Sequence, residues 1–98
     1  MGNDNNKMHA VRIQVEGRVQ GVGFRYFVYK NARKKGVSGW VKNLDGGRVE
    51  AHFEGSSEQI DALIALCEEG PAGAKVKQLT RQSSKVTGNG EDFDFKYD

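Results

Sequence analysis

Nine consecutive residues, Gly17-Arg18-Val19-Gln20-Gly21-Val22-Gly23-Phe24-Arg25, place three glycines and an arginine where an alternating strand pattern gives way to a helical one. The chemistry this favours is the binding of an oxyanion. Gly17, Gly21 and Gly23 can adopt positive φ without steric cost, so successive backbone N–H groups can turn inward as a concave nest. The helix that follows adds unpaired first-turn N–H groups and the positive end of its dipole. Arg25 adds a planar, permanently charged fork matched to two phosphate oxygens. All three contributions recruit the same ligand.

Other phosphate motifs fit poorly. A Walker A loop needs Lys-Ser or Lys-Thr after its glycines, and a dinucleotide fingerprint needs a glycine where Tyr26 stands. The same nine residues, followed by Gly39-Trp40-Val41-Lys42-Asn43 and by Gly47-Arg48-Val49-Glu50, resemble the acylphosphatase signature, and the resemblance runs from about Met8 to Tyr97. It implies that the loop (Gly17, Arg18, Val19, Gln20, Gly21, Val22, Gly23 and Phe24) and Arg25 bind the phosphate of an acyl phosphate. It also implies that Asn43 positions the attacking water. Two departures qualify it: Val28 stands where members often have threonine, and Lys96 where the closing strand often has arginine. Gly23 before Phe24-Arg25 matches the prokaryotic pattern of the family.

Length and charge bound the rest. A chain of 98 residues has room for one core and no second domain of ordinary size. Its 15 Lys and Arg against 13 Asp and Glu leave a net charge of +2, spread along the chain, which is a weak nucleic-acid footprint. A lone Cys67 excludes an internal disulfide. No apolar run has spanning length, and residues 1–7 read as a disordered leader or a vector-derived remnant ahead of a domain at 8–98. Cytoplasm is the default location, and a monomer the default state.

The elements that must position the loop follow from periodicity. Val11, Ile13 and Val15 alternate with Arg12, Gln14 and Glu16 as a strand with one buried face. Phe24, Phe27, Val28 and Ala32 then repeat at helical spacing, with Lys30, Arg33, Lys34 and Lys35 mostly outside the stripe and Gly36 as the stop. A second strand spans about Val37 to Asn43, Leu44-Asp45-Gly46-Gly47 turns, and a third strand carries Val49, Ala51 and Phe53 inward. Ser56 to Gln59 has capping-box spacing, and Ile60, Leu63, Ile64 and Cys67 define a helix over 57–69 that Gly70-Pro71 ends. A fourth strand lies around Lys75 to Arg81, where Val76 and Leu79 break strict alternation and predict a bulge. A mobile polar loop follows at Ser83 to Glu91, and Phe93, Phe95 and Tyr97 close as a short strand.

This order, β-α-β-β-α-β plus a last strand, is the α+β, ferredoxin-like split β-α-β plan: an antiparallel sheet of four to five strands with two helices on one face. A right-handed crossover makes the first two strands parallel with the third inserted between them. The anion loop and the end of the second strand then emerge at one sheet edge, about 10 Å apart. One phosphate and one water span that gap.

Apart from Arg25 and Asn43 the sequence offers no nucleophile, carboxylate pair or metal-ligand spacing at the loop. An acyl phosphate already has a good leaving group, so holding the phosphoryl group, offsetting its charge and aligning water suffice. The expected reaction is hydrolysis to a carboxylate and inorganic phosphate without metal or cofactor. The remaining chemistry-bearing residues have structural readings: Cys67 as a core thiol, His9 and His52 as isolated surface or half-buried strand residues, Trp40 as sheet packing. Arg18 is open between loop charge and solvated side chain. Two alternatives stay open. An RNA-binding ferredoxin-like domain would need stacking rings on the central strands, where the chain offers Arg12, Gln14, Glu16, Arg48, Glu50 and His52. A non-catalytic domain binding phosphate or carbamoyl phosphate for a larger assembly would keep the same loop.

Overall fold

The computed structural model describes residues 7–88 and 92–97, so most of the expected leader and residues 89–91 of the polar loop lie outside the described residues. Period-two alternation produces β1 (His9–Arg18), with Val11, Ile13 and Val15 buried and Gln14 and Glu16 on the other side. The strand runs two residues further than the alternation predicts, because Gly17 and Arg18 pair with β4 (Lys75–Ser83). At Gly17 the chain has φ 128°, and a Cβ there would stand 2.1 Å from the Lys75 carbonyl oxygen, so only glycine permits the approach. The irregularity expected in the fourth strand is present here. The register steps from Glu16 opposite Gln78 to Gly17 opposite Val76, leaving Lys77 unpaired.

Helix α1 (Phe24–Lys34) buries Phe24, Val28 and Ala32, and α2 (Ser57–Glu69) buries Ile60, Leu63, Ile64 and Cys67. The Ser56–Gln59 capping box forms as its spacing predicts, with Ser56 Oγ accepting from Gln59 N at 3.1 Å and Gln59 Oε1 from Ser56 N at 2.9 Å. Gln59 also donates to the Lys35 carbonyl at 2.8 Å, tying the start of α2 to the end of α1. Burial pushes the Cys67 thiol up to about 12, and Glu68 adds to the rise, so it stays a neutral core residue.

β2 (Ser38–Asn43) and β3 (Val49–Gly55) form the hairpin, and the sheet order is β4-β1-β3-β2-β5. β5 (Phe93–Phe95) joins β2 in parallel, so the sheet is mixed rather than antiparallel throughout. Both helices lie on the face that carries Val15, Val41, Val49 and Phe53. The other face carries Arg12, Trp40, His52 and Glu54. His52 and Glu54 are buried rather than half-exposed, because residues 84–88 cross that face and donate to Glu54 from Thr87 and Gly88.

Candidate active site

A cleft of about 190 Å³ opens where β1, α1 and the end of β2 converge, lined by Val19, Gln20, Gly21, Gly23, Phe24, Arg25, Tyr26, Asn43, Phe95 and Tyr97. With liquid water at roughly 30 Å³ per molecule, that is space for about six waters, the scale of a phosphoryl group, a small acyl substituent and one water. The residues singled out in sequence thus divide. Val19, Gln20, Gly21, Gly23, Phe24, Arg25 and Asn43 meet in the cleft. Gly17, Arg18 and Val22 do not: Gly17 and Arg18 belong to the β1–β4 ladder, and Val22 packs against the core.

The loop has the backbone geometry of an anion nest. Gly21 and Gly23 have φ 77° and 78°, with open space where a Cβ would point. Gly23 is also the N-cap of α1, which starts without a side-chain cap and without an acidic residue in its first turn. The first-turn N–H groups and the positive helix end are therefore left for an external anion. Arg25, half-buried in that turn, packs its guanidinium over the Tyr97 ring at 5.6 Å from the centroid. Among the described residues no carboxylate sits within ion-pair distance of it. Among the described residues the cleft lining contains no Asp, Glu, His or Cys, so these offer positive potential and no set of metal ligands.

Asn43 ends β2, and its Oδ1 is buried without a hydrogen-bond partner. The hairpin beyond it closes without that amide: Leu44 N donates to the Arg48 carbonyl at 2.8 Å. Gln20 does the tying. Its Nε2 donates to the carbonyls of Leu44 and Arg48, both at 2.9 Å, fastening the anion loop to the base of the hairpin that carries Asn43. Gln20→Ala leaves two carbonyls without this donor, and we expect a loss of about 1–3 kcal/mol in folding free energy. Denaturant midpoints with an unchanged slope check this, and a wild-type midpoint would show the strut to be idle.

In the sequence Phe95 and Tyr97 read only as part of a closing strand, and nothing there assigns Tyr26 to the site. The period-two spacing of Phe93, Phe95 and Tyr97 puts the three on one face, which was the available signal. Parallel docking on β2, which brings that face to the cleft, is not written in spacing. Val28 and Lys96, the two departures from the family pattern, both stand outside the cleft. Val28 is fully buried, and Lys96 reaches the open face, 4.5 Å from the Trp40 centroid.

The family model described as Acylphosphatase matches residues 11–95. An acylphosphatase of Geobacter sulfurreducens is 44% identical over 91 residues, covering 93% of this chain and 99% of that protein. The crystal structure of an acylphosphatase from Bacillus subtilis superposes with a TM-score of 0.86 at 38% identity, covering 93% of this chain and 100% of that one. Full-length HypF in its phosphate- and nucleotide-bound form also matches, with a TM-score of 0.86 at 30% identity, over 93% of this chain and 12% of the larger protein. With the family match spanning strand, anion loop, Asn43 and the closing strand, the chain belongs to the acylphosphatase family.

Proposed function

We propose that the cleft hydrolyses the carboxyl–phosphate bond of small acyl phosphates, with Arg25 and the loop backbone holding the phosphoryl group and Asn43 orienting the water. The observation that carries this is the convergence of Arg25 and Asn43, distant in sequence, on one cleft with an uncapped helix N-terminus. The loop N–H groups and the Arg25 fork spread over the non-bridging phosphate oxygens and offset their charge as the P–O bond loosens. The Asn43 amide holds a water in line with the leaving carboxylate. The water oxygen bonds to phosphorus as the bond to the acyl oxygen breaks, the acyl group leaves as a carboxylate, and a phosphate oxygen takes the proton of the water. Proximity and charge complementarity carry the rate, and no side-chain nucleophile is needed.

The same reading makes the protein a cytoplasmic monomer whose residues 8–98 form one acylphosphatase domain and whose partners are acyl phosphates and inorganic phosphate rather than nucleic acids. No helix among the described residues is long and apolar enough to cross a membrane. The match to a 12% segment of HypF favours one second reading, a phosphate-binding domain that serves a larger protein without turning over.

Phosphate release from benzoyl or acetyl phosphate separates the two. We expect multiple turnovers that persist after exhaustive treatment with EDTA, and competitive inhibition by inorganic phosphate that weakens strongly in Arg25→Ala. Absence of turnover would favour the binding domain, and activity lost to EDTA and restored by a divalent ion would overturn the metal-free mechanism.

A further inference from the structure

Most of the cleft lining already has a task in the proposed hydrolysis. The loop backbone and Arg25 hold the phosphoryl group, and Asn43 holds the water. Three side chains remain for the acyl group to meet, Tyr26, Phe95 and Tyr97, and all three are aromatic. Tyr26 and Tyr97 stay 59% and 75% exposed, so Lys30, 5.8 Å from the first ring centroid, and Arg25, 5.6 Å from the second, leave most of each ring open. Single exposed rings are ordinary on a protein surface, whereas rings gathered at the mouth of one cleft mark a ligand contact.

Their common support lies outside the cleft. Tyr29 stands three residues after Tyr26 on α1, where helical neighbours meet, and is half-buried. Its ring stacks on Phe95 with 4.7 Å between centroids and 22° between planes, and on Tyr26 with 6.2 Å and 29°. Phe95 in turn faces Tyr97 at 6.5 Å and 30°. The four rings form one row in which Tyr29 joins the helix to the closing strand. β5 needs that junction. Phe93 is buried in the core, but Phe95 ends the strand and Tyr97 lies beyond it, so the presentation of their rings depends on side-chain contacts.

We infer that Tyr29 is a positioning residue that sets specificity on the acyl side. It holds Tyr26 and Phe95, and through Phe95 also Tyr97, as a wall that favours acyl phosphates with a flat apolar acyl group. The inference rests on the reading of this cleft as an acyl phosphate hydrolase. The wall touches a part of the substrate that does not react and meets it equally in the bound complex and in the transition state. Loosening the wall therefore raises KM and leaves kcat nearly unchanged. A methyl group reaches little of the wall, so acetyl phosphate is insensitive to it.

The experiment measures kcat and KM on benzoyl phosphate and acetyl phosphate, with inhibition by inorganic phosphate, for the unsubstituted chain, Tyr29→Leu, Tyr29→Phe and Tyr26→Ala. Dividing each variant's benzoyl-to-acetyl ratio of kcat/KM by that of the unsubstituted chain cancels the different intrinsic reactivities of the two substrates. We expect Tyr29→Leu to raise KM for benzoyl phosphate by about three- to tenfold, the scale of one aromatic contact, with the other constants within about twofold. Tyr29→Phe keeps the ring and should keep the ratio. Tyr26→Ala removes a lining ring outright and should lower it. Tyr29→Met, whose flexible side chain fills gaps without a flat face, replaces Tyr29→Leu should that variant not fold. An unchanged ratio in the folded Tyr29 variant or in Tyr26→Ala overturns the inference, as does a ratio that falls equally in Tyr29→Phe. So does an equal loss on both substrates with weakened phosphate inhibition, which would make Tyr29 a support for the phosphate site. Absence of turnover of either substrate by the unsubstituted chain would instead overturn the hydrolytic reading itself, and this inference with it.

Discussion

Replacing Arg25 by lysine should cost about 3 kcal/mol in transition-state stabilisation, the scale of losing one preorganised oxyanion donor, and so lower kcat/KM on benzoyl phosphate by roughly a hundredfold or more. The charge survives this substitution, and the geometry does not. A guanidinium presents parallel N–H groups that fix two phosphate oxygens at once, whereas an ammonium is a point charge on a flexible stem. The packing of Arg25 over Tyr97, 5.6 Å from ring centroid to Cζ, also holds the fork in place, and lysine loses that stacking surface. Steady-state kinetics with a melting curve on the same sample make the check. A kcat/KM near the unsubstituted value in a folded Arg25→Lys would remove the arginine from the reaction.

Asn43→Ala should separate binding from turnover. If the amide aligns water, affinity for inorganic phosphate stays within a few-fold while kcat falls by on the order of a hundredfold, because lost alignment acts on the transition state and not on the ground-state complex. A structural role predicts the opposite pattern, a lowered melting temperature with unchanged kcat in the folded fraction. The hairpin after β2 is closed by the Leu44–Arg48 backbone bond and by Gln20, and Asn43 Oδ1 takes part in neither. An acceptor left unpaired at a cleft costs folding free energy, of about 1–3 kcal/mol when buried, and a bound water or substrate that donates to it recovers that cost.

How far the molecule was legible beforehand depends on the range over which each feature is decided. The helices at Phe24–Lys34 and Ser57–Glu69 and the strands around Val11, Val41 and Val49 follow from side-chain periodicity, which every stretch carries within itself. The capping box at Ser56–Gln59 and the left-handed Gly21 and Gly23 are equally local, since each depends on a few neighbouring residues. The pairing of Arg25 with Asn43 needed one further step, the handedness of the crossover, which applies to nearly every such unit.

What the sequence by itself determined is therefore the element order, the buried faces, the glycine loop with its arginine, and the fate of Cys67 as a core thiol. Tertiary structure alone decided which glycines serve the cleft, because Gly17 is claimed by the backbone of β4 while Gly21 and Gly23 face open space. It also decided that β5 lies parallel to β2, bringing Phe95 and Tyr97 to the site, that Gln20 braces the hairpin, and that His52 and Glu54 are buried under residues 84–88. The physical reason is common to all of these. A residue's intrinsic preference is set by its own backbone and close neighbours, but a partner many positions away is chosen by the free energy of docking whole elements, which no local pattern records.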